Sequence, residues 1–134
     1  MKLNTLSTTR ILMGLIFIWY GTLKLFPDLS PAEQLATLTI DKLFLSMIPA
    51  SISIKLLAIW ELLVGFGFLL GKYTKQASIL FLVHMTLTFT PLFLLPDLCF
   101  TQAPFAFTLV GQYIGKNLIF IMVGVMIYKN EVTA

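Results

Sequence analysis

Glu61 is the residue whose position most needs a chemical explanation. It stands in Ile59-Trp60-Glu61-Leu62-Leu63-Val64, inside an apolar run, and an ionised carboxylate facing hydrocarbon is expensive. It must face other helices, a partner subunit or a water-filled cavity, where it can carry protons or pair with a cation. A protonated or paired glutamate that only fixes helix packing is the alternative. Two cations flank other apolar runs: Lys24 closes the first and Lys116 opens the last. Each lysine alone could snorkel to lipid phosphate, but the placement of all three residues allows them to meet. Tyr20 precedes Lys24 by one helical turn and shares its face, and Gly21 removes bulk where another helix or a ligand could approach. His84, on a stripe with Thr88 and Pro91, could relay protons or hydrogen-bond a carbonyl ligand, or simply satisfy a packing hydrogen bond.

Several chemistries are excluded at once. One histidine does not supply both axial ligands of a haem within one chain. Cys99 is the only cysteine, so an internal disulfide, a Cys-x-x-Cys pair and a thiolate-rich metal site are ruled out within one chain. No metal site is expected.

The elements that must position these residues follow from hydropathy. The chain has 134 residues, 58% of them hydrophobic and 11% charged, with a mean hydropathy of +0.94; a soluble domain averages about a quarter charged. The basic residues are scattered between apolar runs and the formal charge is only +3, so no nucleic-acid footprint is present. A hydrocarbon core of about 30 Å asks for about twenty helical residues. Four segments qualify: Leu6 to Phe26, Ser53 to Leu70, Ala77 to Leu95 and Val110 to Tyr128. The expected fold is all-α, an integral membrane four-helix bundle forming a single transmembrane domain over residues 1–134. The first apolar run is read as an uncleaved span, because no small-residue cleavage pattern follows it.

In the first connection, Ser30-Pro31-Ala32-Glu33 has the form of a capping box with proline in the first turn. It predicts a short, partly apolar helix along the membrane surface or over the bundle. The short link Gly71 to Gln76 makes the second and third helices antiparallel neighbours. Lys2, Arg10, Lys72, Lys75 and Lys129 gather on one side if both termini are cytoplasmic. Lys24, Lys116 and the outer half of the helix carrying Glu61 then fall together, with His84 deeper. Pro91 and Pro96 predict a kink or an early exit of the third span. The apolar segment Asp97 to Gly111 either folds over the bundle or forms an aromatic belt. Gly67 with Gly71 and Gly111 with Gly115 have the spacing of close helix contacts, internal or between subunits.

These stretches resemble a known family. Arg10, Gly14 and Trp19-Tyr20-Gly21-Thr22-Leu23-Lys24, then Trp60-Glu61-Leu62-Leu63-Val64-Gly65-Phe66-Gly67, then Gly111-Gln112-Tyr113-Ile114-Gly115-Lys116-Asn117-Leu118 are similar to the DoxX-like bacterial four-helix membrane proteins. The resemblance implies a multi-pass protein of the bacterial inner membrane. It further implies a membrane component of oxidoreductase systems: a subunit of a quinone-linked enzyme or part of an oxidative-stress response. By position, Lys24, Glu61, Lys116 and Asn117 match the family's polar pattern.

Three functions are weighed. In the first, a quinone-linked redox subunit, Lys24, Glu61 or His84 moves protons while Tyr20, Gly21, Lys116 and Asn117 bind the ligand; quinone is the candidate cofactor. Electrons come from a redox partner subunit, since no flavin, haem or metal motif is present. The second is a structural or assembly subunit of a membrane complex. The third is a small-solute transporter, which with four helices requires a homo-oligomer.

Overall fold

The computed structural model describes residues 4–133; Lys2, used above for orientation, lies outside them. The chain is an all-α membrane bundle of four long apolar helices. The first is α1 (Thr5–Leu23), begun by Asn4, whose side-chain oxygen accepts the Ser7 N–H at 2.7 Å as an N-cap should. The second, which follows the surface helix α2 (Glu33–Leu43), is α3 (Ala50–Leu70), placed directly after Pro49. It starts earlier than hydropathy suggests because Ser53 does not interrupt it: the hydroxyl donates back to the Ala50 carbonyl at 3.0 Å.

The third span runs from Thr74 to Leu94 and the fourth from Leu109 to Thr133, and both are broken. The third divides into α4 (Thr74–Leu87) and α5 (Thr90–Leu94). Pro91 has no N–H to offer the Leu87 carbonyl, so the ladder fails one turn before it. The fourth divides at Lys116. Between these spans lie α6 (Pro96–Cys99) and an antiparallel pair, β1 (Phe100–Gln102) and β2 (Ala106–Phe107), then the two parts of the fourth span, α7 (Leu109–Gly115) and α8 (Asn117–Thr133). The rings of Phe100 and Phe107 stack at 5.1 Å.

The capping box is not formed. Ala32 is the N-cap of α2 and caps nothing with its side chain. Glu33 instead accepts the backbone N–H of Asp28 at 2.9 Å, where Asp28 turns the chain at φ 60°. The surface helix is latched to the bundle by Lys42, which donates to the Leu94 carbonyl at the end of α5 at 2.9 Å. The apolar segment after Pro96 folds onto the start of α7. The Cys99 carbonyl accepts Thr108 N–H at 2.9 Å and the Thr108 hydroxyl donates to Leu98 at 2.6 Å. Cys99 is fully buried there, and burial pushes its thiol above the ordinary range.

In lipid, helices are held by close packing rather than by expulsion of water, and small residues decide how close they come. A side chain on Gly14 would meet the Gly65 carbonyl at 2.8 Å, and one on Gly21 would meet the Ala58 carbonyl at 3.2 Å. Gly14 faces Gly65 and Gly21 faces Ala58, one antiparallel seam with a seven-residue repeat on each helix. Gly67 lies against Ala77 across the second hairpin, whereas Gly71 is the left-handed C-cap of α3, at φ 68°. The guanidinium of Arg10 donates to the Phe68 carbonyl, placing a cation on the negative end of α3.

On the other side of the bundle Phe81 of α4 fits against Gly124 of α8. Phe81 is the hub of the core: its ring lies 5.1 Å from that of Phe17 and 5.5 Å from that of Phe68. Met13, Val64 and Ile127 complete the same cluster.

The α1–α3 seam gives a direct test. Gly65→Leu should destabilise the bundle in detergent by about 1–3 kcal/mol through overpacking, read as a lowered thermal midpoint. Gly115→Ala, whose added carbon meets nothing nearer than Phe107 at 3.9 Å, should leave the midpoint unchanged.

Candidate functional site

Three helices deliver one ionisable side chain each to a common point. Lys24 is the C-cap of α1, where a cation complements the helix dipole. Its ammonium donates to Glu61 Oε2 at 2.9 Å and approaches the Tyr20 carbonyl at 3.5 Å. Glu61, midway along α3, turns its other oxygen, Oε1, to His84 Nε2 at 3.1 Å. All three are buried, at 6% exposure for Lys24, 6% for Glu61 and 7% for His84, so protein rather than lipid meets the charges. Gly21 makes the meeting possible: an added carbon there would come within 3.1 Å of Glu61 Cβ.

Charge and hydrogen accounting defines what the triad can do. An ionised Glu61 is neutralised by Lys24, and its second oxygen requires a donor. His84 Nε2 must therefore carry hydrogen. The neutral ring then has a free lone pair on Nδ1, and Nδ1 is a buried atom with no hydrogen-bond partner. A proton arriving there makes an imidazolium whose other N–H already points at a carboxylate. The arrangement could accept a proton at an imidazole oriented by a glutamate, which is in turn held by a lysine. The imidazole edge lies against two aromatic rings, Phe17 at 5.5 Å and Trp60 at 5.9 Å between centroids.

The other expected site residues lie elsewhere. Lys116 is exposed at the break between α7 and α8, and it does not join Lys24 and Glu61. Its neighbour Asn117 is the residue turned inward: 7% exposed, it donates through Nδ2 to the Thr88 hydroxyl at 3.0 Å. Thr88 donates in turn to the Met85 carbonyl at 2.5 Å. The break in the third span thus faces the break in the fourth, one turn from His84, and a side-chain bridge joins them. The Tyr20 side chain is 44% exposed, with its ring 6.4 Å from that of Trp19; it offers the triad its carbonyl rather than its phenol.

Phe17, Trp60 and the Thr88 hydroxyl are site neighbours that residue type alone does not reveal. The only signal for Trp60 was its place beside Glu61. Among the described residues no group of three His, Cys, Asp or Glu could hold a metal ion. An apolar groove of about 270 Å³ on the lipid face of α4, at Leu82, Val83, Thr86 and Leu87, and a polar recess of about 360 Å³ at Asp28, Ser30 and Glu33 both lie apart from the triad.

Breaking a buried ion pair from one side leaves a charge without compensation. Lys24→Met should therefore cost about 3–5 kcal/mol in denaturant unfolding. Adding Glu61→Gln to it should restore most of that loss.

The DoxX family model matches residues 5–95, the stretch that contains Lys24, Glu61 and His84. No curated protein and no solved structure matches the chain.

Proposed function

The chain belongs to the DoxX family of membrane proteins, and from that footing we propose that it is the proton-handling membrane component of a quinone-linked oxidoreductase system. The observation that carries this reading is the free Nδ1 of His84, a buried imidazole nitrogen without a partner beside a neutralised carboxylate. An unsatisfied buried polar atom costs about 1–3 kcal/mol, and a ligand hydroxyl or carbonyl would satisfy it.

The donor chemistry fits a quinone. Neutral His84 accepts a hydrogen bond at Nδ1 and protonated His84 donates one, so the same nitrogen suits the hydroxyl of the reduced ring and the carbonyl of the oxidised ring. Trp60, half-buried and in T-shaped contact with the imidazole, offers an apolar ring beside it. When bound, the quinone supplies the two-electron couple, and a partner subunit exchanges the electrons. The chain's own work is with protons. His84 takes one at Nδ1 and Glu61 holds the imidazolium through Nε2. Lys24 holds Glu61 in place through its 2.9 Å bridge to Oε2. In this reading both termini lie in the cytoplasm of a bacterium and the triad sits in the outer half of its inner membrane. Arg10, Lys72, Lys75 and Lys129 then lie at the cytoplasmic end.

A second reading has its own observation. Both oxygens of Glu61 are engaged, at 2.9 and 3.1 Å, and this closed bridge between three helices suits a structural or assembly subunit in which the triad specifies packing.

Trp60 makes the two readings separable, because it is a fluorophore in contact with His84. In Trp19→Phe protein in lipid nanodiscs, decylubiquinone should quench Trp60 saturably, and His84→Gln should remove the saturable phase. Quenching that is linear in quinone and identical in both proteins would leave the structural reading standing, as would full activity of the membranes with Lys24→Met and Glu61→Gln combined.

A further inference from the structure

The three triad side chains are buried, at 6–7% exposure. His84 meets Glu61 on one edge and Phe17 on another, and both are buried, at 6% and 5% exposure. Trp60 is different: it is half-buried and touches both His84 and the lipid-facing surface. It projects from the side of α3 that faces α4, opposite the Gly65 and Ala58 stripe that packs on α1. Its indole N–H reaches across to the Leu80 carbonyl of α4 at 3.1 Å. Leu80 is 40% exposed and lies one turn before His84 on the same helix edge. Beside His84 the α3–α4 seam carries the Trp60 ring and its hydrogen bond to the Leu80 carbonyl.

That carbonyl has another partner. Within the helix, Leu80 lies four residues before His84, so its oxygen is also positioned for the ordinary ladder bond from the His84 N–H. The bond from Trp60 is an addition that α4 does not need in order to stay helical. Swinging the indole aside breaks no helix and separates no ion pair.

We propose that Trp60 is a lateral gate between the bilayer and His84, through which a flat, lipid-soluble ring compound bearing a hydroxyl or carbonyl oxygen reaches Nδ1 from within the membrane plane. The ligand class rests on the function proposed above, but the route does not. A compound dissolved in hydrocarbon arrives sideways, and the half-buried Trp60 ring beside His84 can stack on the arriving ring as it turns. Trp60 is thus a positioning residue; the proton moves at His84.

The route is tested without any quinone. In liposomes holding Cys99→Ala protein with His84→Cys, N-phenylmaleimide, which enters bilayers, should label position 84, while a charged methanethiosulfonate reagent applied to either face should not. Adding Trp60→Ala should speed maleimide labelling by about tenfold, the scale of one lost hydrogen bond. Phe17→Ala should leave the rate within about twofold, since its ring is on the buried side. Labelling by the charged reagent as fast as by maleimide, or no effect of Trp60→Ala, would overturn the gate. A second measurement keeps His84 and Trp60 in place. In Trp19→Phe protein, lipids brominated along their acyl chains should quench Trp60 and aqueous iodide should not; the reverse pattern overturns the proposal. Loss of quinone binding with lateral labelling intact counts against the function above and for the gate. Saturable quinone binding with no lateral labelling does the opposite.

Discussion

One carboxylate in a medium without water sets the terms for this molecule. Glu61 sits about midway along a helix of 21 residues, too far from either surface to reach water by bending its side chain. Its charge must be answered by protein. Lys24 comes from α1 and His84 from α4, so the answer requires three helices in one register. The glycines that appear to be ordinary membrane-helix filler are consequences of that need. Gly21 lies over Glu61 Cβ and Gly14 over the Gly65 carbonyl, and a larger residue at either place would hold α1 too far away for the lysine to reach. Packing and electrostatics are the same constraint seen from two sides.

The fold was legible because hydropathy and length are strong signals in a bilayer. Four long apolar segments, a short link between the second and third, and a partly apolar first connection leave few architectures. The inward aim of Glu61 was also legible, from the cost of any other direction. What could not be read was which neighbour it would find. His84 looked deeper than Glu61, but the tight turn through Gly71 and Tyr73 sets the α3–α4 register, and small changes in a turn slide an entire helix. Lys116 shows the same limit. A shift of one residue turns a helix by about 100°, so Asn117 faces inward and Lys116 outward. The break that produces this orientation is signalled only by Gly115 before Lys116, a pattern that occurs in many unbroken membrane helices. The apparent capping box failed for a related reason: Glu33 found a nearer donor in the Asp28 N–H, at a turn that its own residue type scarcely announces.

The bundle divides its work between two halves. At the end carrying Arg10 and Gly71, a cation closes a helix terminus, Arg10 on the Phe68 carbonyl, and the rings of Phe17, Phe68 and Phe81 pack together. At the other end polar side chains meet one another, in the triad and in the Thr88–Asn117 bridge, and both broken helices lie there. Regular helix holds the first half rigid. The second half has fewer ladder bonds and more side-chain links, so its geometry is set by residues that can exchange partners.

The order in which the triad's members occur along the chain has a meaning for biogenesis. Lys24 leaves the ribosome first, Glu61 second and His84 last. The lysine ends α1 near the membrane surface, where its ammonium remains hydrated while it waits. In that order the carboxylate follows its cation along the chain, and the histidine follows both.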